Sequence, residues 1–447
     1  MHLRLPRFLA SPARLLPATF IAAIATGTCL LMLPVAKVGP GGTDPITALF
    51  TATSAVCVTG LTVVDTGTYW TGFGQLVVLA LIAVGGLGIT ALATLIVLSL
   101  AGRLGLTTTI AAQRETKTSG LGDVRSVLLR VGVTMLVLQV TVAIVLASRL
   151  LLAYDNSFPE ALRQGVFHAV SASNNAGFSL YPDSLTRFVG DPVIMLTVCA
   201  AIIVGGLGFP VLFELRRRWR SPRAWTLHTR LTVWGTVILL LVGVVAIVVF
   251  EWNNPLTLGT LDTSESVLAT IFQAVQPRTA GFNVIDVAAM RQESLLTTVA
   301  LMVIGGGSAG TAGGIKVTTF AVLLFVVWAE IRGDEDVVVQ RRRIPTQTQR
   351  QAVGITAVGL LGVGVGAIAI MATTQIQFGP AVFEAASAFG TVGLSLGFDA
   401  DLPTSAKLVL VVLMFMGRVG PVAAFAFFAQ RSTKVRYRYP ESRPLVG

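Results

Sequence analysis

Charge is scarce in this sequence. Only 12% of its 447 residues are Asp, Glu, Lys or Arg, where soluble domains carry roughly 25%. A soluble chain of this length would divide into several domains, each needing a polar surface, and the charge to cover them is missing. Histidine is scarcer still: His2, His168 and His228 lie far apart. No H-E-x-x-H pattern and no paired carboxylates fall within an apolar run, so a membrane enzyme has little from which to build a catalytic centre. The three cysteines, Cys29, Cys57 and Cys199, are odd in number and each sits in an apolar stretch. That excludes a disulfide framework, and the thiols read as buried. With 53% hydrophobic residues and a mean hydropathy of +0.77, the chain has too much apolar side chain for disorder. What remains is an integral membrane protein.

Eight apolar runs are long enough to cross a bilayer, which takes about 20 residues. They cover about 15–36, 74–101, 127–153, 191–213, 230–250, 294–330, 352–373 and 405–429. The runs are continuous rather than alternating, so they predict helices and not a barrel. The first is long and pairs with the second run as the later runs pair, so it reads as a span rather than a signal peptide. Placing the N-terminus inside puts 24 of the 33 Lys and Arg residues on the inner side and 14 of the 22 acids on the outer side. The inner face then carries about +16, as the positive-inside rule predicts. The pI of 10.3 is therefore a topology signal. A nucleic-acid footprint would cluster on a polar domain, and there is none.

The outer connections repeat. After the first, third, fifth and seventh runs comes a short amphipathic stretch and then a glycine-centred segment. Each has Phe-x-Ala near its start (Phe50, Phe167, Phe272, Phe383) and Gly followed by Leu or Phe at its end (Gly60, Gly177, Gly281, Gly393). Those glycines lie 117, 104 and 112 residues apart. The chain is thus four tandem units of helix, re-entrant loop and helix: 13–102, 103–218, 219–332 and 333–430, with tails at 1–12 and 431–447. The predicted fold is an all-α polytopic membrane protein with four helix–pore loop–helix repeats around a central pore.

Extended backbone at membrane depth is tolerated only where it lines a water-filled cavity. Four such segments around one axis make a ring of carbonyl oxygens that can replace the hydration shell of a potassium ion. Glycine supplies the backbone angles this requires, and the short helices aim their negative dipole ends at the axis. An acid follows each glycine by five or six positions: Asp65, Asp183, Asp286 and Asp399. At an outer vestibule these would concentrate cations; taken singly, each is an ordinary turn former.

The segments Val58-Thr59-Gly60-Leu61, Asn174-Asn175-Ala176-Gly177-Phe178, Arg278-Thr279-Ala280-Gly281-Phe282-Asn283 and Gly390-Thr391-Val392-Gly393-Leu394 resemble the filter loops of the Trk/Ktr/HKT superfamily of potassium transporters. With its first span near residue 15, the chain looks like the shorter Ktr-type (KtrB-like) membrane subunit. The resemblance covers nearly the whole chain. It implies potassium conduction, often with sodium dependence, through one pore per subunit, in a homodimer of the bacterial plasma membrane with cytoplasmic termini. It also implies a cytosolic RCK-type ring, so that nucleotide acts only through a partner. Glycine at all four filter positions fits potassium. The basic inner segments around 214–230 and 330–350 and the tail after about 430 are surfaces for such a ring, or for lipid headgroups.

The sixth run is too long for one straight crossing, and six of its residues from 305 to 314 are glycine. At about 1 kcal/mol per glycine relative to alanine, the helix should break there. The resemblance makes this loop a gate under the filter, comprising Gly305, Gly306, Gly307, Ser308, Gly310, Thr311, Gly313 and Gly314. Lys316 and Arg418 are charges within spans, which are costly and usually functional. Arg418 is expected to face the cavity and hold the loop, and Lys316 either joins the gate or snorkels to the interface. Arg278 is expected to brace its filter loop against a neighbouring pore-helix residue, with Glu384 and His168 as candidates. The glycine runs at 85–88 and 205–210 read as packing and bending sites. A coupled symporter and the potassium-binding subunit of a pump are the competing functions. Symporters usually show inverted repeats, whereas these four all begin inside.

Overall fold

The computed structural model describes residues 12–101 and 122–430. Arg103, Arg114, Lys117 and the C-terminal tail, which entered the charge count, lie outside the described residues. The first unit holds α1 (Pro12–Leu31), α2 (Pro45–Cys57), the single turn α3 (Thr66–Tyr69) and α4 (Gly72–Ala101). The second holds α5 (Gly122–Ala153), α6 (Phe158–Ser173), α7 (Pro192–Leu207) and α8 (Phe209–Arg218). The third holds α9 (Leu227–Glu251), α10 (Thr263–Val275), α11 (Gln292–Val303) and α12 (Val317–Arg332). The fourth holds α13 (Thr346–Thr373), α14 (Phe378–Gly390) and α15 (Thr404–Gln430).

The short helices α2, α6, α10 and α14 form the centre, and their sequences say why they start where they do. Asp44 caps α2, accepting from the backbone N–H of Ile46 and Thr47 at 3.0 and 3.2 Å, with Pro45 in the first turn. Asp262 and Glu265 form a reciprocal capping box on α10. Such caps are worth about 1 kcal/mol each. The phenylalanine that opens each repeat motif is buried in all four. It wedges the pore helix into the core, where truncation to alanine typically costs about 3–5 kcal/mol.

The long helices surround this centre. On α5, α9 and α13, exposed apolar residues recur at helical spacing: Val133, Leu136, Val140 and Ile144; Ile238, Leu241, Val245 and Val249; Val358, Leu361, Val365 and Ile368. These faces have no protein partner among the described residues and suit lipid. Cys57 and Cys199 are buried, but Cys29 is exposed. The expectation of three buried thiols fails there because α1 is an outer helix that also exposes Ile21 and Leu30.

Two crossings are not straight. The fourth turns by 102° between α7 and α8. The hinge is Gly208, at φ 92° and ψ 141°, a conformation L-residues avoid, and Pro210 then fits the first turn of α8. The sixth breaks between α11 and α12, as its glycines require. A two-residue strand pair, Val338–Val339 against Arg342–Arg343, is the one sheet among the described residues. Gln340 and Arg341 turn it with φ of 50° and 64°, the left-handed geometry of a tight hairpin.

Candidate functional site

The four pore helices end in one shared backbone pattern. A left-handed residue is followed two positions later by a glycine at positive φ: Val58 and Gly60, Asn175 and Gly177, Thr279 and Gly281, Thr391 and Gly393. Asparagine tolerates this region. Val58, Thr279 and Thr391 are β-branched and do so only under constraint, at a cost of about 1–3 kcal/mol each.

The constraint is visible in hydrogen bonds from helix to loop. Ser54 Oγ accepts from Gly60 N at 3.1 Å, and Ser387 Oγ accepts from Gly393 N at 3.2 Å. In the third repeat Gln276 Oε1 accepts from Phe282 N at 3.0 Å. In the second, Ser171 Oγ donates to Phe178 O at 2.8 Å. The residue after each glycine, Leu61, Phe178, Phe282 or Leu394, is buried and anchors the outgoing strand. These bracing side chains were not singled out from the sequence. The signal was present in three repeats as Ser54-Ala55, Ser171-Ala172 and Ser387-Ala388.

The glycines close a ring. A β-carbon placed on Gly60 would lie 2.5 Å from Ala176 O; on Gly177, 2.9 Å from Ala280 O; on Gly281, 2.4 Å from Val392 O; on Gly393, 2.2 Å from Thr59 O. Each repeat therefore touches the next, and the fourth touches the first. No side chain heavier than hydrogen fits between the glycine α-carbons and the neighbouring carbonyls. Asn174 lies below, donating from Nδ2 to Val170 O at 2.8 Å, and Gly390 packs against Met302 O.

Glycines on the flanking inner helices let the pore helices seat. A β-carbon on Gly85 would fall 2.0 Å from Val56 O, on Gly205 2.2 Å from Ser173 O, and on Gly417 1.8 Å from Phe389 O. The same close approach of small residues is used three times.

Segment 304–316 lies against the inner side of this ring. Its two ends pair: Gly305 N donates to Ile315 O at 2.8 Å, and Val317 N to Gly306 O at 3.1 Å. Its middle is stitched to the bend in the fourth crossing, with Gly307 N on Gly206 O at 2.8 Å and Thr311 N on Gly205 O at 3.2 Å. Thr311 Oγ1 donates to Asn175 Oδ1 at 2.9 Å. A β-carbon on Gly313 would meet Thr391 Oγ1 at 1.9 Å. The loop thus touches the second and fourth glycine segments of the ring. Ser308 Oγ pairs with Thr318 Oγ1 at 3.0 Å, and Gly310 packs on Gly208. Gly314 takes φ 62°.

Arg418 is 2% exposed. Its Nη1 donates to Thr311 O and its Nη2 to Gly85 O at 3.2 Å. The guanidinium therefore links the loop of the third repeat to the inner helix of the first, diagonal to it in the ring. Lys316 does not extend away from the loop. Its Nζ folds back to Ala312 O at 2.5 Å and Gly313 O at 3.4 Å.

The expected contacts of Arg278 are not made. Its Nε and Nη1 are buried without a partner. Glu384 instead bonds Ser395 and Leu396, and His168 bonds Gln164 O and Ser179. Both bond within their own repeats, and Arg278 reaches neither.

Above the ring an outer cavity of about 340 Å³ is bordered by Gly60, Gly177, Gly281 and Gly393. Asp65 and Asp399 line it; Asp183 and Asp286 do not. Asp65 also caps α3 through Thr68 N at 2.8 Å, and Asp286 caps a turn through Ala288 N at 2.9 Å. Asp183 pairs with Arg187 at 2.7 Å. Partial burial opposes its ionisation, but the bonds from Arg187 outweigh that and hold the carboxyl below its usual range. Its charge is met locally rather than offered to the mouth.

Comparison with known proteins gives a consistent result. Residues 9–435 match the family model TrkH, cation transport protein. The chain is 40% identical to the Ktr system potassium uptake protein B of Bacillus subtilis, over 98% of this chain and 97% of that one. It is 34% identical to the potassium/sodium uptake protein NtpJ of Enterococcus hirae, over 98% and 97%. Its fold is that of the potassium transporter TrkH from Vibrio parahaemolyticus, with a TM-score of 0.71 at 18% identity, over 95% of this chain and 86% of that one. A ring of four glycine loops in an all-helical membrane protein, matched by a family model along almost its whole length, places this chain in the TrkH family of cation transport proteins.

Proposed function

We propose that the chain is the pore-forming subunit of a potassium uptake system. The observation that carries this is the closed ring of Gly60, Gly177, Gly281 and Gly393 against the carbonyls of Ala176, Ala280, Val392 and Thr59. Such a ring offers uncharged oxygen ligands, which a weakly hydrated monovalent cation accepts in place of water. The printed names of the Bacillus and Enterococcus relatives support potassium as the ion, and the latter brings in sodium as well.

In this reading residues 58–60, 174–177, 278–281 and 390–393 are the filter, and Asp65 and Asp399 charge its outer vestibule. Segment 305–314 is the gate, with Lys316 and Arg418 holding it closed. The system name of the relatives supports further components. The proposed assembly is a homodimer in a bacterial plasma membrane, with cytoplasmic termini, on a cytosolic RCK-type ring that carries the nucleotide. Sodium is a second ion of the system. Expression in a bacterium lacking potassium uptake, with a cytosolic ring protein supplied, should restore growth at low potassium. Absence of rescue would overturn the proposal.

A further inference from the structure

The fourth pore helix carries a buried acid that the ring does not use. Glu384 is 0% exposed. Its Oε1 accepts from Ser395 Oγ at 2.9 Å and from Leu396 N at 2.8 Å, while Oε2 has no partner. Asp399 is 4% exposed, and its Oδ1 has no partner either. The Glu384 carboxyl thus holds the start of the loop that carries Asp399, and each of the two buried acids keeps one oxygen without a partner.

Two ionised carboxylates close to one another, away from water, repel strongly. Their surroundings do not relieve this. From α15, Lys407 is the cation that acts on Asp399, but its ammonium donates to Ala400 O at 3.0 Å. From the first repeat, Asp65 borders the same cavity and adds negative charge. Asp401, in the same loop, is exposed. Arg278 bonds neither acid.

We propose that Glu384 and Asp399 hold one proton between them, with Glu384 Oε2 donating to Asp399 Oδ1, and that this proton-binding site braces the fourth filter strand. A single hydrogen then satisfies both orphaned oxygens, leaving one negative charge on the pair. Burial raises the Asp399 carboxyl only to about 6, so at neutral pH Asp399 keeps the charge and the shared proton sits on Glu384.

The second repeat shows what the brace must do. His168 occupies the position of Glu384, directly after the motif phenylalanine. Its Nδ1 lies 2.8 Å from Gln164 O and therefore donates, which leaves Nε2 as the acceptor. Nε2 faces Ser179 Oγ at 3.1 Å and accepts from Leu180 N at 3.4 Å. These partners lie eleven and twelve residues on, as Ser395 and Leu396 do from Glu384. A neutral acceptor serves there, and protonated Glu384 supplies its equivalent in the diagonal repeat.

The site opens outward. Ser395 and Asp399 line the outer cavity, and Ser395 is two residues beyond Gly393. Rising external pH removes the proton, and two like charges then push on the strand that fixes Gly393. This rests on reading 391–393 as filter. The test uses the full-length protein in liposomes. An infrared spectrum should show a protonated carboxyl band that disappears in Glu384→Gln and persists in Asp65→Asn. The potassium-to-sodium flux ratio of the wild type should fall several-fold as external pH is raised. Glu384→Gln keeps an acceptor for Ser395 and Leu396 and a donor for Asp399, and should hold the acid-side ratio at every pH. An unchanged pH profile in Glu384→Gln, or no such band in the wild type, overturns the site. So does a flux ratio that responds to external sodium at fixed pH through Glu384. If the protein carries no potassium but shows the band, the filter reading fails and the proton site stands.

Discussion

The hydroxyl of Thr311 donates a 2.9 Å hydrogen bond to Asn175 Oδ1, tying the loop that breaks the sixth crossing to the second segment of the glycine ring. The same amide donates from Nδ2 to Arg278 O at 3.4 Å, so Asn175 sits between the loop and the third filter segment as well. The position of the loop and the geometry of the glycine ring therefore share one side chain. Thr311→Val keeps the shape and removes the donor, at about 1 kcal/mol for the lost bond. If that energy favours the closed loop, the open population rises about fivefold. Potassium uptake should increase while the thermal stability of the purified protein changes little. Unaltered uptake would show that the bond does not restrain the loop.

Arg418 makes a second prediction. It holds the loop at Thr311 O and the first inner helix at Gly85 O, and adds a positive charge on the inner side of the filter. Arg418→Gln removes the charge and the two-pronged grip, and should raise the maximal uptake rate. Arg418→Lys keeps the charge but has one nitrogen for two acceptors, so it should release the loop with a smaller gain. Equal rates in both variants would mean that charge plays no part. Wild-type rates in Arg418→Gln would remove Arg418 from gating.

The four filter glycines are not equally confined. The nearest carbonyl to a built β-carbon is 2.2 Å away at Gly393, 2.4 Å at Gly281, 2.5 Å at Gly60 and 2.9 Å at Gly177. All four have positive φ, so serine is strained at each. The steric part of the cost should rank Gly393→Ser worst and Gly177→Ser mildest. Gly177→Ser should still transport, with a lower potassium preference over sodium in paired flux measurements. Gly393→Ser should lose most flux. A reversed order would mean that the ring does not have this shape when conducting.

Much of this could be read from the residues in order, because it is written in local patterns. The Phe-to-Gly spacing locates the pore helices and filter glycines, and the glycines at 305–314 locate the break. What could not be read is which repeats touch. Thr311 and Asn175 are 136 positions apart, and nothing in either neighbourhood marks the other. The aspartates show the same limit. Their regular spacing suggested one shared role, yet Asp183 is held by Arg187 four residues on, a pair visible in sequence once the turn is known. The misplaced partners of Arg278 have a related cause. Glu384 and His168 are candidates because each directly follows the phenylalanine of its repeat, but their bonds return to their own repeats.

The bracing serines give the last prediction. Ser54 Oγ and Ser387 Oγ each accept a buried glycine N–H, from Gly60 at 3.1 Å and Gly393 at 3.2 Å. Alanine at either position leaves that N–H without a partner, at about 1–3 kcal/mol. The penalty falls on a segment already strained by Val58 or Thr391 in the left-handed region. Selectivity should suffer before folding does, because the pore helices keep their buried phenylalanines. The first and fourth loops are also neighbours, with Gly393 packed on Thr59 O. Relaxation of one loop then relieves the other, and Ser54→Ala with Ser387→Ala should lose less discrimination together than the two single losses summed. Strict additivity in potassium-to-sodium flux ratios would show that the loops hold their shape independently, and that the ring contact carries no coupling.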